Sequence, residues 1–231
     1  MSKITVIISA HKESPYLVEA LKSAINQDFD DYDIILSSDG CLELIEVADR
    51  FGIEFCFTPK KNHSSALNNA VYQSRGEWIK DIHYDDIMLP NCLQDLWDAR
   101  DGSLVHANAI TFWDDGRESI YKAPKEVTWL DLWPPIQNPI HAATIMWRRD
   151  DFITVGGRDE EMIYAEDYDY YLNLLSLGYK IKHCDKTVVK YRRHIEQKTE
   201  TYSKWGPKRI AVLTHLLKKY DKRNSSSAYL E

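Results

Sequence analysis

Two hydrophobic periods alternate along the first half of this chain. Ile4-Thr-Val-Ile-Ile8 is a short β-branched run, which predicts a buried strand. After the polar stretch Ser9 to Ser14, the residues Leu17, Ala20, Leu21, Ala24 and Ile25 recur at helical spacing, with Pro15 suited to an early helical position. Ile34-Ile-Leu36 predicts a second strand, closed by the turn-like Ser37-Ser-Asp-Gly40. A helix over Leu42 to Phe51 stops at Gly52, and Ile53 to Thr58 predicts a third strand. A helix over Ser65 to Gln73 leads to a fourth strand, Glu77 to Ile82, whose end delivers His83-Tyr-Asp-Asp86.

The second half is less regular. Strands are expected over Leu104 to Phe112, Ala142 to Trp147 and Val188 to Tyr191, with a loop-rich aromatic region over Trp113 to Pro139. A helix runs from Glu166 to Leu177, ending at Gly178. The terminal stretch Trp205 to Tyr220 presents Ile210, Leu213, Leu217 and Tyr220 as one amphipathic face, followed by a frayed Ser225-Ser-Ser-Ala. Strands alternating with helices predict an α/β fold, a mainly parallel sheet wound with helices on both faces. Ligands of such sheets bind outside the carboxyl ends of the strands. Ser9 to Lys12, Ser38 to Gly40 and His83 to Asp86 all sit at such ends.

Composition narrows this picture. A chain of 231 residues fits one large α/β domain with a short appendage. No apolar run approaches the roughly 18 residues that a membrane span requires. The chain passes from Met1-Ser2-Lys3 directly into an apolar strand, so a cytoplasmic protein without a leader is expected. Cys41, Cys56, Cys92 and Cys184 have no short pair spacing, which suggests neither a disulfide framework nor a zinc site. The net charge of −7 is uneven, because Lys186 to Arg223 carries twelve Lys/Arg against three acids. An acidic body with a basic tail excludes a broad nucleic-acid surface and permits local attraction to phosphates, on a small ligand or a membrane face.

Four clusters carry candidate chemistry, and each has a plainer alternative. Asp85-Asp86 after a strand suits Mg²⁺ or Mn²⁺, which take one or two carboxylates and substrate diphosphate oxygens; the pair would equally cap a helix. Asp39 accepts a hydrogen bond from a base or ribose, or simply forms a turn. Glu166-Asp167-Tyr-Asp169 opens a helix, where acids either complement the helix dipole or supply a general base. Arg192-Arg193-His194 is a solvated basic edge, or places His194 on a metal and the arginines on a diphosphate.

In this order the clusters resemble the family 2 glycosyltransferases with the GT-A fold. The opening strand, Ser9-Ala10-His11-Lys12, the helix through Gln27 and Ser38-Asp39-Gly40-Cys41 match the family's first nucleotide-binding elements. Asn62 to Asn68 with Gly76-Glu-Trp-Ile79, then His83-Tyr-Asp-Asp86, fall where the family carries its Ala-Arg-Asn, Gly-Glu-Tyr-Ile and acidic metal signatures. Val155-Gly-Gly-Arg-Asp159, Glu166-Asp-Tyr-Asp169 and Tyr191-Arg-Arg-His194 match its acceptor side, so the likeness covers about residues 3 to 196.

The resemblance implies a GT-A domain over 1–200, with a nucleotide-binding half over about 1–100, an acceptor half over about 101–200 and a C-terminal helix and tail over 201–231. It implies inverting transfer from a nucleotide-diphosphate sugar, UDP-sugar favoured, to a glycan or lipid-linked acceptor hydroxyl in polysaccharide or glycoconjugate synthesis. Ser9, Ala10, His11 and Asp39 would hold the nucleoside and Asn68 would support its pocket. Asp85 would coordinate Mn²⁺ or Mg²⁺, with Asp86 beside it on the nucleotide and His194 completing the shell. Asp167 would be the general base, with Glu166 as the competing residue. The basic C-terminal segment would allow peripheral contact with the inner membrane face, against the alternative that its helix packs on the domain. Three positions depart from the pattern: His83 replaces the first acid of the metal motif, Leu67 an arginine, and Ala10-His11 a Thr-Tyr pair. The rival functions are a nucleotidyltransferase, which would want a glycine- and lysine-rich loop after the first strand, and a nucleotide-sugar-binding module without turnover.

Overall fold

The computed structural model describes residues 2–59, 62–133, 138–195, 197 and 206–227. Its first half follows the predicted alternation: β1 (Ile4–Ala10), α1 (Pro15–Ile25), β2 (Tyr32–Asp39), α2 (Leu44–Phe51), β3 (Glu54–Thr58), α3 (His63–Gln73) and β4 (Trp78–His83). Local signals set the helix ends, the Gly52 stop as expected and a Ser14 cap besides. Ser14 Oγ accepts from the Leu17 amide to cap α1, and Gly52 ends α2 in the left-handed region at φ 65°.

The rest of the chain forms β5 (Ile87–Met88), α4 (Cys92–Ala99), β6 (Leu104–Trp113), β7 (Glu118–Tyr121), α5 (Trp129–Leu132), a 3₁₀ turn (Ala142–Thr144) and β8 (Met146–Arg148). It ends with α6 (Arg149–Thr154), α7 (Glu166–Ser176), β9 (Ile181–Arg193) and α8 (Gly206–Ser227).

Among the described residues the nine strands join one mixed sheet in the order β3-β2-β1-β4-β8-β6-β9-β5, with β7 paired to β6. The strands β3, β2, β1 and β4 are parallel, and β8 runs antiparallel between β4 and β6. The chain leaves β1 toward β2 and β3, then returns through α3 to place β4 on the other side of β1. A crevice therefore opens at the carboxyl ends of β1 and β4. There Ser9 stands beside His83 and Ala10 beside Ser38.

Alternating strand residues fill two core layers. Ile4, Val6 and Ile8 pack with Leu17, Leu21, Val47 and Leu96 on one face. Ile7 and Ile35 pack with Leu67, Val71, Phe152, Tyr170 and Leu174 on the other.

The expected strand over Ala142 to Trp147 is corrected to a 3₁₀ turn and a strand that begins only at Met146. Polar groups impose the turn. The Thr144 hydroxyl donates to the His141 carbonyl (2.8 Å), and buried Lys80 donates to the Ala143 carbonyl (2.7 Å). The late strand is 13 residues long rather than Val188 to Tyr191, and its pairing with β6 shifts register around Asn108. The elements β5, β7, α4 and α6 fall outside the predicted set. Each is eight residues or fewer, too short for periodicity to separate from loop.

At the C-terminus, α8 continues through Ser227 where fraying was expected. Its docked face runs through Val212, Leu216 and Tyr220, while Ile210 and Leu217 are exposed. Docking, not apolar content alone, selects this face. The Tyr220 hydroxyl donates to Asp169 Oδ1 (2.8 Å) and to its carbonyl (2.9 Å), and Lys219 Nζ meets Asp169 Oδ2 at 2.8 Å. The stacked rings of Trp129 and Trp133 meet Tyr220 edge-on, so these tryptophans line the α5–α8 contact. Tyr220→Phe is expected to lower stability by about 1.5–3 kcal/mol, because a buried hydrogen bond to a charged group is lost. A thermal midpoint unchanged in that variant would show that α8 is not latched to α7 in solution. No helix among the described residues is long and apolar enough to cross a membrane.

Candidate active site

The crevice at the β1 and β4 ends opens into a cavity of about 700 Å³. Ser9, Ala10 and His11 line it from the end of β1 and Asp39 from β2; Asp85 and Asp86 enter after β4, and Glu166 and Asp167 from the start of α7. Eight of the ten anticipated residues, spread over some 160 positions of sequence, thus surround one space.

The other two lie behind its wall. Asn68 does not line the cavity. Its amide nitrogen donates to the Arg158 carbonyl (2.9 Å), and its oxygen accepts from the Arg158 amide (3.0 Å). It fixes the loop that delivers Arg158, a support rather than a ligand contact. The close fit explains Gly157, where a Cβ would meet Asn68 Oδ1 at 2.7 Å and φ is +70°. His194 lies at the end of β9 and places Nε2 2.9 Å from Asp85 Oδ2.

The acidic turn is held tightly. The Asp86 amide donates to the His83 carbonyl (3.2 Å), and the Tyr84 amide to Ser9 (3.2 Å). Arg192 clamps the turn to β9. Its amide donates to Asp86 Oδ1 (3.1 Å) and its Nε to the Asp85 carbonyl (3.1 Å). Its guanidinium pairs with Asp114 and Glu19 and lies over the Tyr16 ring. Arg192 is therefore buried and committed to protein partners, which corrects the expectation that it contacts a diphosphate.

Asp86 is fully buried, and its Oδ2 has no hydrogen-bond partner among the described residues. Burial first, then the neighbouring Asp85 charge, push its carboxyl well above the usual range, against the pull of the Arg192 amide, Lys80 and the Arg192 charge. Two adjacent carboxylates, one with an orphan oxygen, fit a divalent cation. Within 4.8 Å of one another lie ligand atoms of His83, Asp85 and Asp86, and separately those of His63, Asp81 and His83.

On the opposite wall, α7 begins after Ala165, a non-glycine residue at φ 57°. Such a conformation costs about 1–2 kcal/mol, and here it turns the first helical residues toward the cavity. No side chain caps this end, so Glu166 and Asp167 complement the helix dipole. Asp167 Oδ2 also accepts from Asn138 Nδ2 at 3.1 Å. The capping reading and the chemical reading of this cluster are compatible: Asp169 is absorbed by α8, whereas Glu166 and Asp167 face the cavity.

Sequence reasoning gave no role of its own to Arg158, which lines the cavity, or to the buried Asp81 that it meets. Arg158 pairs with Asp81 at 3.1 Å, both about 1% exposed, and reaches His63 Nε2 at 3.0 Å. Burial works against the ionisation of Asp81, but Arg158, His83, His63 and Lys80 outweigh it and hold the carboxyl below its ordinary value. The signal was available, since Lys80-Asp81 places two charges inside an apolar strand that can be buried only with partners. His141, also in the wall, is pushed down to about 4 by burial, then by His83, Lys80 and Arg193. It is neutral at pH 7, consistent with its Nδ1 accepting from the Ala143 amide.

A mixed sheet with its nucleotide-type crevice at the β1–β4 switch, acids after β4 and a carboxylate-bearing helix opposite define a GT-A glycosyltransferase. The chain belongs to glycosyltransferase family 2, whose profile matches residues 5–198. It is 26% identical to an uncharacterised glycosyltransferase of Rickettsia typhi over 95% of this chain and 73% of that one. It is 25% identical to the amylovoran biosynthesis glycosyltransferase AmsE of Erwinia amylovora over 81% and 75%. Three further rickettsial relatives are much longer, and the chain spans only 35–36% of their length. Among solved structures, residues 1–349 of Staphylococcus aureus TarS in complex with UDP-GlcNAc superpose with a TM-score of 0.72 at 18% identity, covering 93% of this chain and 65% of that one.

Proposed function

We propose that this chain is an inverting, metal-assisted transferase that moves a sugar from a UDP-sugar to a hydroxyl of a glycan or lipid-linked acceptor. The carrying observation is the convergence of carboxylates from the end of β4 and the start of α7 on a single cavity. One group can hold a charged donor while the other meets an acceptor. A UDP-sugar is supported by the UDP-GlcNAc complex of TarS, and a role in polysaccharide synthesis by the likeness to AmsE.

In this reading Ser9, Ala10, His11 and Asp39 hold the nucleoside at the ends of β1 and β2. Asp85 and Asp86 hold the divalent cation, and His194 orients the Asp85 carboxylate. A bound cation supplies positive charge to the departing diphosphate. Asp167 takes the proton from the acceptor hydroxyl as its oxygen attacks the anomeric carbon on the face opposite the diphosphate, which inverts that centre. Asn138 fixes the orientation of Asp167.

Thermal unfolding with UDP, with and without Mn²⁺, tests the reading. Nucleotide and metal together, at about 100 times the dissociation constant, add roughly 2.7 kcal/mol. That raises the midpoint by roughly 5–10 °C at this size. The shift should require both components and vanish in Asp85→Ala. No shift with UDP, GDP or dTDP would overturn a nucleotide-diphosphate donor.

A further inference from the structure

We infer that His83 binds the cation directly through nitrogen, making the site a mixed imidazole–carboxylate one that takes Mn²⁺ or Co²⁺ in preference to Mg²⁺. The inference rests on the metal-assisted reading above. It concerns a different residue and a different property.

The two triads of potential ligands share His83, and Arg158 holds the other two members of one of them. A guanidinium can only donate hydrogen bonds. Its 3.0 Å contact therefore occupies the lone pair of His63 Nε2, and its ion pair occupies Asp81 Oδ2. A cation placed in that triad would stand against a fixed positive charge. In the triad of His83, Asp85 and Asp86 no guanidinium holds a side-chain ligand atom among the described residues: Arg192 reaches the Asp85 backbone carbonyl with its Nε and Asp86 Oδ1 with its amide. Asp86 Oδ1 is held by the Arg192 amide, while Oδ2 is buried without a partner in the wall of the cavity. Asp85 is steadied by His194. His83 itself packs edge-on to His63, with ring centroids 5.0 Å apart, so Arg158 through His63 fixes the plane of the His83 ring. Of the two residues it holds, Arg158 leaves only Asp81 Oδ1 without a partner among the described residues, and through His63 it orients the ligand that the two triads share.

Donor chemistry then sets the preference. Mg²⁺ binds an all-oxygen octahedron and keeps its waters, whereas imidazole nitrogen favours later divalent ions, Co²⁺ more than Mn²⁺. An acid in place of His83 would remove that bias.

The test is pulsed electron paramagnetic resonance on the full chain with UDP and Mn²⁺, beside calorimetric titration with Co²⁺ and with Mg²⁺. The wild type should show ¹⁴N coupling from a directly bound imidazole. His83→Asp should lose it and should narrow the Co²⁺-over-Mg²⁺ preference by about tenfold or more. His194→Gln should keep it, which preserves the attribution even if the His83 variant folds poorly. Mn²⁺ bound without ¹⁴N coupling would overturn the inference and leave the metal-assisted transferase standing. Coupling that survives in His83→Asp and disappears in His194→Gln would overturn it in favour of His194. No Mn²⁺ binding in the presence of UDP, GDP or dTDP would remove both this inference and the metal-assisted reading.

Discussion

Asp167→Asn is expected to bind UDP and Mn²⁺ as the wild type does and to transfer sugar about 10²–10⁴-fold more slowly. The carboxamide has the shape of the carboxylate, and its oxygen can still accept from Asn138, so the geometry of the α7 start persists. What disappears is the ability to take a proton from the acceptor hydroxyl. The lost charge at the helix N-terminus costs only about 0.3–1 kcal/mol, so a small fall in the thermal midpoint accompanies a large fall in kcat. Glu166→Gln is the paired control, because Glu166 precedes Asp167 in the same helical turn and lines the same cavity. Turnover measured with saturating donor separates the two. Near wild-type transfer by Asp167→Asn together with collapse in Glu166→Gln would exchange their roles, and near wild-type transfer by both would remove general-base catalysis from α7.

The largest effect on stability is expected at the buried ion pair. Arg158→Ala should destabilise the fold by about 3–5 kcal/mol, since it strands the Asp81 charge in an environment with almost no water. At this size that is a fall in midpoint on the order of 10 °C. Asp81→Leu combined with Arg158→Met should recover much of the loss, because removing both charges also removes the desolvation penalty. Equal destabilisation in the single and double variants would mean that packing, rather than charge, holds this region together. The pair also predicts acid sensitivity. The folded carboxyl of Asp81 is held below its ordinary value of 3.8, so its contribution is fully present above that value and is lost as pH falls below it. Chemical denaturation of wild type and double variant between pH 6 and pH 3 measures this, and the wild type should lose stability relative to the double variant toward the acid end.

These two experiments fall on opposite sides of what the sequence makes legible. The α/β alternation was readable because β1, β2 and β4 lie in the interior of the sheet. Their β-branched runs and the helical spacing in α1 are local consequences of burial. The strand-end clusters were readable for the same reason, since the topology of a parallel sheet brings Ser9, Asp39 and Asp85 together wherever the intervening helices lie. The short elements were not legible, because β5 and β7 exist only through their partners β9 and β6. The face of α8 was legible only in part: Tyr220 docks as its spacing predicts, but Val212 and Leu216 accompany it while Ile210 and Leu217 are exposed.

By itself the sequence determined the order of strands and helices in the first half, the acidic strand ends and the family to which they belong, because each can be read from spacing and motifs along the chain. Tertiary structure alone decided which charges are partners. Arg158 meets Asp81 across 77 residues, and His194 meets Asp85 across 109. Arg192 turns inward to clamp the acidic turn rather than outward to a ligand. The physical reason is range: hydrophobic periodicity records whether a position is buried, while the partner that makes a buried charge tolerable is chosen by packing between segments distant along the chain.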